Sequence, residues 1–276
     1  MSKLGGPAGR LVGVDRRAGM MLALASMAGV IAFAWPFFVS AHAPNTNSAH
    51  SADAPYVLVA LMVIVVAVTL AELSEGRLDV KSLAMLGMLA AGMAALRIPS
   101  PGMDGFEPMW FLLILAARVF GPGFGFVLGA AGMATSALLT GGIGPWLPFQ
   151  MLAAGWVGLG AGLLPGARGR AEMLVLSVYG FVAGIAYGAV MNLWFWPFVT
   201  GSASSLSFVP ALGPLANLHR FALFDLATSL GFDLPRSIVT MAFLLTVGPA
   251  VLRALRRVSR KALFVPECAQ AGPGRT

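Results

Sequence analysis

Polar and aromatic side chains that could bind a small molecule stand at intervals in an otherwise apolar chain. The candidates are Glu107, Trp146, Gln150, Asn192, Trp196, Asn217, His219, Arg220 and Asp225. Amides, carboxylates and guanidinium groups form hydrogen bonds, and an indole offers flat apolar surface to a ring. These types predict binding rather than catalysis, because no apolar run carries a carboxylate pair or a Ser/His arrangement suited to hydrolysis. A single cysteine, Cys268, excludes a Cys-rich metal site, so we predict neither metal nor cofactor.

Two of the candidates continue a glycine stripe. Gly184, Gly188, Asn192 and Trp196 recur every fourth residue, which places them on one face of a helix. An amide inside an apolar helix is costly unless it has a partner or faces a cavity. Ligand contact and a bond to another helix therefore remain equal alternatives for Asn192. The alternative for Trp196 is a place in the interfacial aromatic belt.

The other candidates fall in segments that interrupt the apolar runs. TGGIGPWLPFQ (140–150) has three glycines and two prolines, and predicts a pocket rim or lid, or a plain tight turn. Glu107 precedes a short apolar run, where it could simply favour a helix N-terminus. Between Leu215 and Leu230 the apolar residues recur at helical spacing, which predicts an amphipathic helix across the outer face. Its polar residues are binding candidates or a solvated side.

The composition requires a lipid environment. Of 276 residues, 58% are hydrophobic and 11% charged, against roughly 25% charged in soluble domains. A membrane-crossing helix needs about 20 apolar residues. Candidate runs lie at 19–40, 55–73, 82–96, 106–120, 121–140, 148–165, 172–199 and 237–252. The predicted fold is all-α, a polytopic transmembrane helix bundle. Its parts are a tail (1–18), two additional transmembrane helices (19–74), a six-helix core (82–257) and a second tail (258–276).

The basic residues predict the orientation. With the N-terminus inside and eight crossings, 15 of the 18 Lys and Arg residues are cytoplasmic and 3 external, as the positive-inside rule requires. If the short run 106–120 did not cross, the count would be 8 against 10, so we keep it as a crossing. This predicts a multi-pass protein of a bacterial cell membrane with both termini cytoplasmic. The first run could instead be a signal peptide, with Ala41–His42–Ala43 as the cleavage site, but it exceeds 20 residues, longer than such a core.

Two activities are disfavoured by what the chain lacks. The net charge of +7 is spread between apolar runs rather than gathered on one face, which argues against nucleic acid as a partner. None of the three lysines belongs to a Gly-rich phosphate loop, so the chain itself is not expected to hydrolyse ATP.

Small residues recur along the third run and would allow another helix to approach closely. They are Gly87, Ala90, Ala91, Ala94 and Ala95. The alternatives are packing within this bundle, as for similar glycines on later runs, or contact with a partner membrane protein.

The stretch from Leu83 to Pro165 resembles the substrate-binding (S) components of energy-coupling factor (ECF) vitamin transporters. The likeness lies in the small-residue helix, in GFEPMWFLLILAARVFGPGFGFVLGA and in TGGIGPWLPFQMLAAGWVGLGAGLLP, and extends more loosely through NLWFWPF. It implies a six-helix bundle that binds a vitamin near its external face. An Ala-x-x-x-Ala pattern, matched by Ala90/Ala94 and Ala91/Ala95, would contact the transmembrane coupling (T) subunit. The two extra helices depart from the family pattern.

The resemblance implies that two partner ATPase subunits supply energy and that the S component tilts in the lipid to release its ligand inside. Trp146, Trp194, Trp196 and Asn192 suit a ring-rich vitamin, so a cobalamin or a flavin-like vitamin is expected. Three alternatives remain at this point: a stand-alone secondary transporter, an intramembrane lipid-modifying enzyme acting through Glu107 or Asp225, and an assembly factor without a ligand.

Overall fold

The protein is a bundle of α-helices. The structure is a computed structural model that describes residues 16–34, 80–100, 105–144, 146–198, 204–209 and 212–263, with the single residues 37, 59 and 63. The helices are α1 (Arg16–Ala34), α2 (Val80–Arg97), α3 (Met109–Phe120), α4 (Pro122–Thr140), α5 (Leu147–Leu163), α6 (Gly169–Phe195), α7 (Pro214–Thr228), α8 (Leu230–Thr246) and α9 (Gly248–Leu263). The described part of the chain contains no strand, and the all-α prediction is confirmed.

Several helices have the apolar character of membrane spans. By length and composition α4 and α6 could each cross a bilayer, and α8 with α9 passes the same test as one bent pair. The apolar parts of α1, α2, α3 and α5 are shorter. The prediction of a polytopic membrane bundle is therefore confirmed. The predicted run 55–73 lies almost wholly outside the described residues, and the boundaries of the six-helix core stay a prediction.

Helix α3 is the buried centre of the bundle. Its central residues, among them Leu113, Ile114 and Ala117, are fully buried. Twelve residues span about 18 Å, less than the roughly 30 Å of a bilayer core. A helix surrounded by others can be this short, because its neighbours rather than lipid cover its ends.

Glycines set the closest contact, between α4 and α5. A Cβ on Gly158 would collide with the backbone of Gly125, and one on Gly129 with the backbone of Ala154. Small residues allow helix backbones to meet this closely in a membrane. The glycine stripes on these two helices thus pack within the bundle.

The glycine stripe of α6 faces α8. Side chains added at Gly180, Gly184 and Gly188 would meet Leu244, Ser237 and Asp233 in turn. The stripe therefore lets α8 lie close against α6 from Gly180 to Gly188. Asn192, one turn further along α6, then lies beside Ser229, which directly precedes α8.

Each of the two ends of the bundle has its own group of charged contacts. At one end, here called the site end, Arg97, Glu107, Asp233 and Arg236 lie together. At the other end Glu172 accepts hydrogen bonds from Arg118 (2.9 Å) and Arg256 (2.7 Å). Helix α3 joins the two ends, since Trp110 bonds Glu107 and Arg118 bonds Glu172. It therefore traverses the bundle, while its crossing of the bilayer stays a prediction.

The last predicted run is two helices rather than one. α8 and α9 meet at Val247 with a bend of 65°. Pro249 supplies no backbone N–H and restricts the residue before it, which favours a break at this point. The prediction of one continuous helix over the apolar run 237–252 was therefore wrong, because the helix breaks at Val247.

Helix α1 packs on α5. The Trp156 indole donates to Ser26 Oγ (2.9 Å), and the Phe33 ring lies 5.0 Å from that of Phe149. A Cβ on Gly29 would collide with Leu152. The first of the two additional helices is thus attached to the core by specific contacts.

We expect Glu172→Gln to loosen α9. The Glu172 side chain is 2% exposed, and its loss of charge removes the anion that two arginines share. Hydrogen bonds to charged groups contribute about 1.5–3 kcal/mol each. Hydrogen exchange should then quicken in α9 and remain unchanged in α4. Unchanged exchange in α9 would contradict this role for Glu172.

Candidate functional site

An ion cluster occupies the centre of the site end. Arg236 Nε donates to Glu107 Oε2 (2.6 Å), and its Nη1 donates to Asp233 Oδ1 (2.5 Å). The Trp110 indole also donates to Glu107 Oε2 (2.9 Å), and Arg97 Nε lies 4.0 Å from Oε1. The Arg236 guanidinium lies over the Tyr187 ring. These contacts tie α2, α3, α6 and α8 together.

A turn at Gly105 brings Glu107 to this cluster. Gly105 has φ +74°, and a Cβ there would collide with the Phe232 carbonyl. Glycine adopts this conformation without strain. The residue type at 105 thus allows the chain before α3 to pass close to α8.

The charge of Glu107 is stabilised where it lies. Burial alone would raise the pKa of this carboxyl, but Arg236, the Trp110 indole and Arg97 together outweigh it and hold the pKa below the ordinary 4.5. The folded protein therefore holds a carboxylate at this position at neutral pH.

Acid should weaken the fold through this group. A lowered pKa in the folded state means that the stabilisation is complete above pH 4.5 and is lost as the pH falls through the folded pKa. The thermal midpoint of the chain should drop in that range. Glu107→Gln should lower the midpoint at neutral pH but flatten its acid dependence. An equally steep dependence in both proteins would rule Glu107 out as the responsible group.

The larger of two cavities at the cluster lies between α6, α7 and α8. Its volume is about 420 Å³. The lining is Gly188, Met191, Asn192, Phe224, Thr228, Ser229, Phe232, Asp233 and Arg236. Asn192 Nδ2 donates to Asp225 Oδ1 (2.7 Å) and to Ser229 Oγ. The cavity thus combines two aromatic rings with amide, hydroxyl and charged groups.

The smaller cavity lies on the other side of Glu107. Its volume is about 310 Å³. The lining is Arg97, Ser100, Glu107, Thr140, Gly142, Trp146 and Gln150. The Trp146 ring is partly exposed, and its indole donates to the Gly142 carbonyl (3.2 Å). Thr140, Gly142, Trp146 and Gln150 therefore border this cavity, and a role for them in ligand binding stays a prediction.

Residues 196–198, 204–209 and 212–228 form a cap over the site end. The predicted helix between Leu215 and Leu230 is present as α7, with Asn217 and Phe224 buried and Leu215, Leu218 and Leu226 exposed. Trp196 is 1% exposed; its indole donates to the Leu206 carbonyl, and its ring meets Phe208 and Phe221. Asn217 is 2% exposed and bonds the backbone of Val209 and Leu212. These two predicted binding residues hold the cap together and line neither cavity.

Arg220 and His219 lie on the outer side of the cap. Arg220 donates to the carbonyls of Ser204 and Ser207, and both residues border a shallow, mostly apolar hollow of about 810 Å³. The predicted residues thus fall into separate places. Glu107, Trp146 and Gln150 line the smaller cavity, Asn192 lines the larger one with Asp225 bonded to it, and the remaining four belong to the cap.

Sequence reasoning did not select Arg236 and Asp233 as candidate site residues. Their spacing of three residues on a helix was the available signal. This spacing alone did not indicate a site, because it does not show that Glu107, 129 residues away in the chain, lies beside Arg236.

The small residues of α2 divide between two faces. Ala90 and Ala94 are buried inside the bundle, whereas Gly87, Ala91 and Ala95 are exposed. A Cβ on Gly87 would meet nothing within 4 Å. This corrects the predicted partner surface, because Ala90 and Ala94 cannot reach a partner.

Comparison with known proteins gave one match. The family model for the ECF-type riboflavin transporter, S component, matches residues 77–220, just over half of the chain. No curated protein and no solved structure matched. The matched range contains α2 to α6 and the first half of α7, and so both sides of the smaller cavity.

Proposed function

Because this chain belongs to the ECF-type riboflavin transporter S component family, we propose that it binds a flavin-type vitamin in the larger cavity at the site end. Membership makes it the substrate-specific component of a vitamin transporter and not an enzyme. We propose in addition that the vitamin is a flavin, that it binds in the larger cavity, and that it is transported inward.

The lining of the larger cavity carries the proposal. A flavin is a flat ring with one apolar edge, one edge of amide-like donors and acceptors, and a hydroxylated side chain. Phe224, Phe232 and Met191 offer the apolar surface, and Asn192 with Ser229 offers hydrogen bonds. Apolar surface together with polar groups that fix the orientation of a ligand is typical of small-molecule sites.

Size supports a flavin over a cobalamin. Pockets for drug-sized ligands have volumes of roughly 300–1,000 Å³. The two cavities, at about 420 and 310 Å³, lie at the lower end of this range. A cobalamin is several times larger than a flavin and would require both cavities and the cap to open.

The exposed face of α2 is the proposed contact for the transmembrane coupling subunit. Gly87, Ala91 and Ala95 follow one another at four-residue spacing on this face. Such spacing allows a partner helix to approach closely. Two ATPase subunits would then act through the coupling subunit, with the site end facing the exterior, as the basic residues indicate.

The ligand is tested by fluorescence. Purified full-length chain should quench riboflavin fluorescence saturably, and mass spectrometry of the protein as isolated should detect a flavin. Cyanocobalamin should not compete. A retained cobalamin, or a lack of quenching by flavin-free protein, would refute the assignment.

Two variants test which cavity holds the ring. Asn192→Leu should weaken riboflavin binding about tenfold, because an uncharged ligand hydrogen bond contributes about 0.5–1.5 kcal/mol and the substitution also leaves Asp225 without its donor. Gln150→Leu, in the smaller cavity, should have a lesser effect. The reverse order would assign the ring to the smaller cavity.

A further inference from the structure

The end of the bundle opposite the site carries a dense basic surface on α9. Arg253, Arg256, Arg257 and Arg260 are all exposed there, at spacings that place them on one side of the helix. Val251, Leu252 and Leu255 occupy the other side and pack on the core. The helix is therefore attached by its apolar side and presents its arginines outward.

Within the described ranges, few anions at this end balance the arginines. Among the residues that the structure describes, Glu172 is the one carboxylate here, and it is already shared by Arg118 and Arg256. Arg260 Nε bonds a carbonyl of its own helix. For Arg253 and Arg257 no carboxylate lies in ion-pair contact within the described ranges. Guanidinium groups so placed are available for external phosphate groups, which they can bind through paired hydrogen bonds.

The direction of α9 points to a membrane surface. α9 departs from α8 by 65°, so where α8 runs close to the membrane normal, α9 lies nearer to the membrane plane. An amphipathic helix in that plane with arginines on its polar side is the usual arrangement for contact with anionic lipids.

We propose that α9 binds the phosphate headgroups of anionic phospholipids through Arg253, Arg257 and Arg260, while Arg256, held by Glu172, fixes the helix on the core. This surface lies at the opposite end from the vitamin site and requires no ligand in it. Binding there would set the depth and tilt of the bundle in the bilayer.

The test compares two pairs of exposed arginines at the same end. Arg253→Gln/Arg257→Gln removes two charges from α9, and Arg168→Gln/Arg170→Gln removes two from the start of α6. Full-length protein is incubated with an equimolar mixture of phosphatidylglycerol and phosphatidylcholine in detergent, and bound lipids are counted by native mass spectrometry. One basic residue near an anionic surface contributes about 1 kcal/mol, or about fivefold.

We expect the native chain to retain phosphatidylglycerol preferentially, and the α9 pair to reduce that preference about 25-fold, which is about fivefold for each charge removed. The α6 pair should change it about twofold or less. Equal losses in both variants, or no preference in the native chain, would overturn the proposal. Displacement of the lipid by inorganic phosphate alone would also overturn it, since the site would then recognise a free anion. Circular dichroism and riboflavin binding serve as controls for folding.

Discussion

Replacing Arg236 with methionine is expected to destabilise the chain by about 3–5 kcal/mol. The guanidinium is partner to two carboxylates, Glu107 and Asp233, and lies over Tyr187. Methionine fills similar volume but leaves Asp233 buried without a counter-charge and Glu107 with only Arg97, whose Nε lies 4.0 Å away. The free energy lost is therefore mainly that of two buried carboxylates deprived of their nearest cation, and the thermal midpoint in detergent measures it.

A charge-balanced variant separates this cause from lost packing. In Glu107→Gln/Asp233→Asn/Arg236→Met the anions are removed together with the cation. Much of the stability should return, because replacing a whole buried ion network is often close to neutral. If the triple variant were as unstable as the single one, packing rather than charge would account for the loss.

Gly158→Leu should prevent α4 and α5 from packing and leave little folded protein in the membrane. A side chain at 158 would collide with the backbone of Gly125, and a backbone cannot move aside as a flexible side chain can. Overpacking ordinarily costs about 1–3 kcal/mol, and a forced separation of two helices exceeds that range. Yield and thermal midpoint of the purified chain measure the effect.

Gly87→Leu is the matched control on α2. The same substitution there meets open space, so stability and riboflavin binding should remain as in the native chain. Co-purification with the coupling subunit should fall, because the proposed contact face would carry a bulky group. Loss of folded protein on Gly87→Leu would contradict the assignment of that face as exposed. Full recovery of the complex would refute the interface.

Gly87 and Gly158 show that a small-residue pattern does not predict which helix face is buried. Gly87 and Gly158 both belong to stripes at four-residue spacing, and their local sequence does not reveal which stripe packs inside the bundle. The same holds for Ala90 and Ala91, adjacent in the chain but on different faces. A helix with small residues on several sides has no amphipathic pattern that would orient it, since lipid and protein interior are equally apolar.

The site was predicted in part for a similar reason. Glu107, Gln150 and Asn192 could be selected because a polar group in an apolar chain is costly without a purpose. Trp196 and Asn217 met the same criterion, but their hydrogen bonds go to the backbone of the cap. Residue type shows that a partner is needed and does not show whether the partner is a ligand or the chain itself.

The amino-acid sequence by itself determined the solvent, the helical class and the family of this protein. These conclusions depend on the apolar content, the length of the apolar runs and local motifs. All three can be read from the sequence without knowing any contact between residues. Only the tertiary structure decided that Glu107 meets Arg236, that Asn192 meets Asp225, and that Ala91 rather than Ala90 is exposed. Each of these depends on the rotation of one helix against another, and that rotation is set by packing between segments distant in the chain.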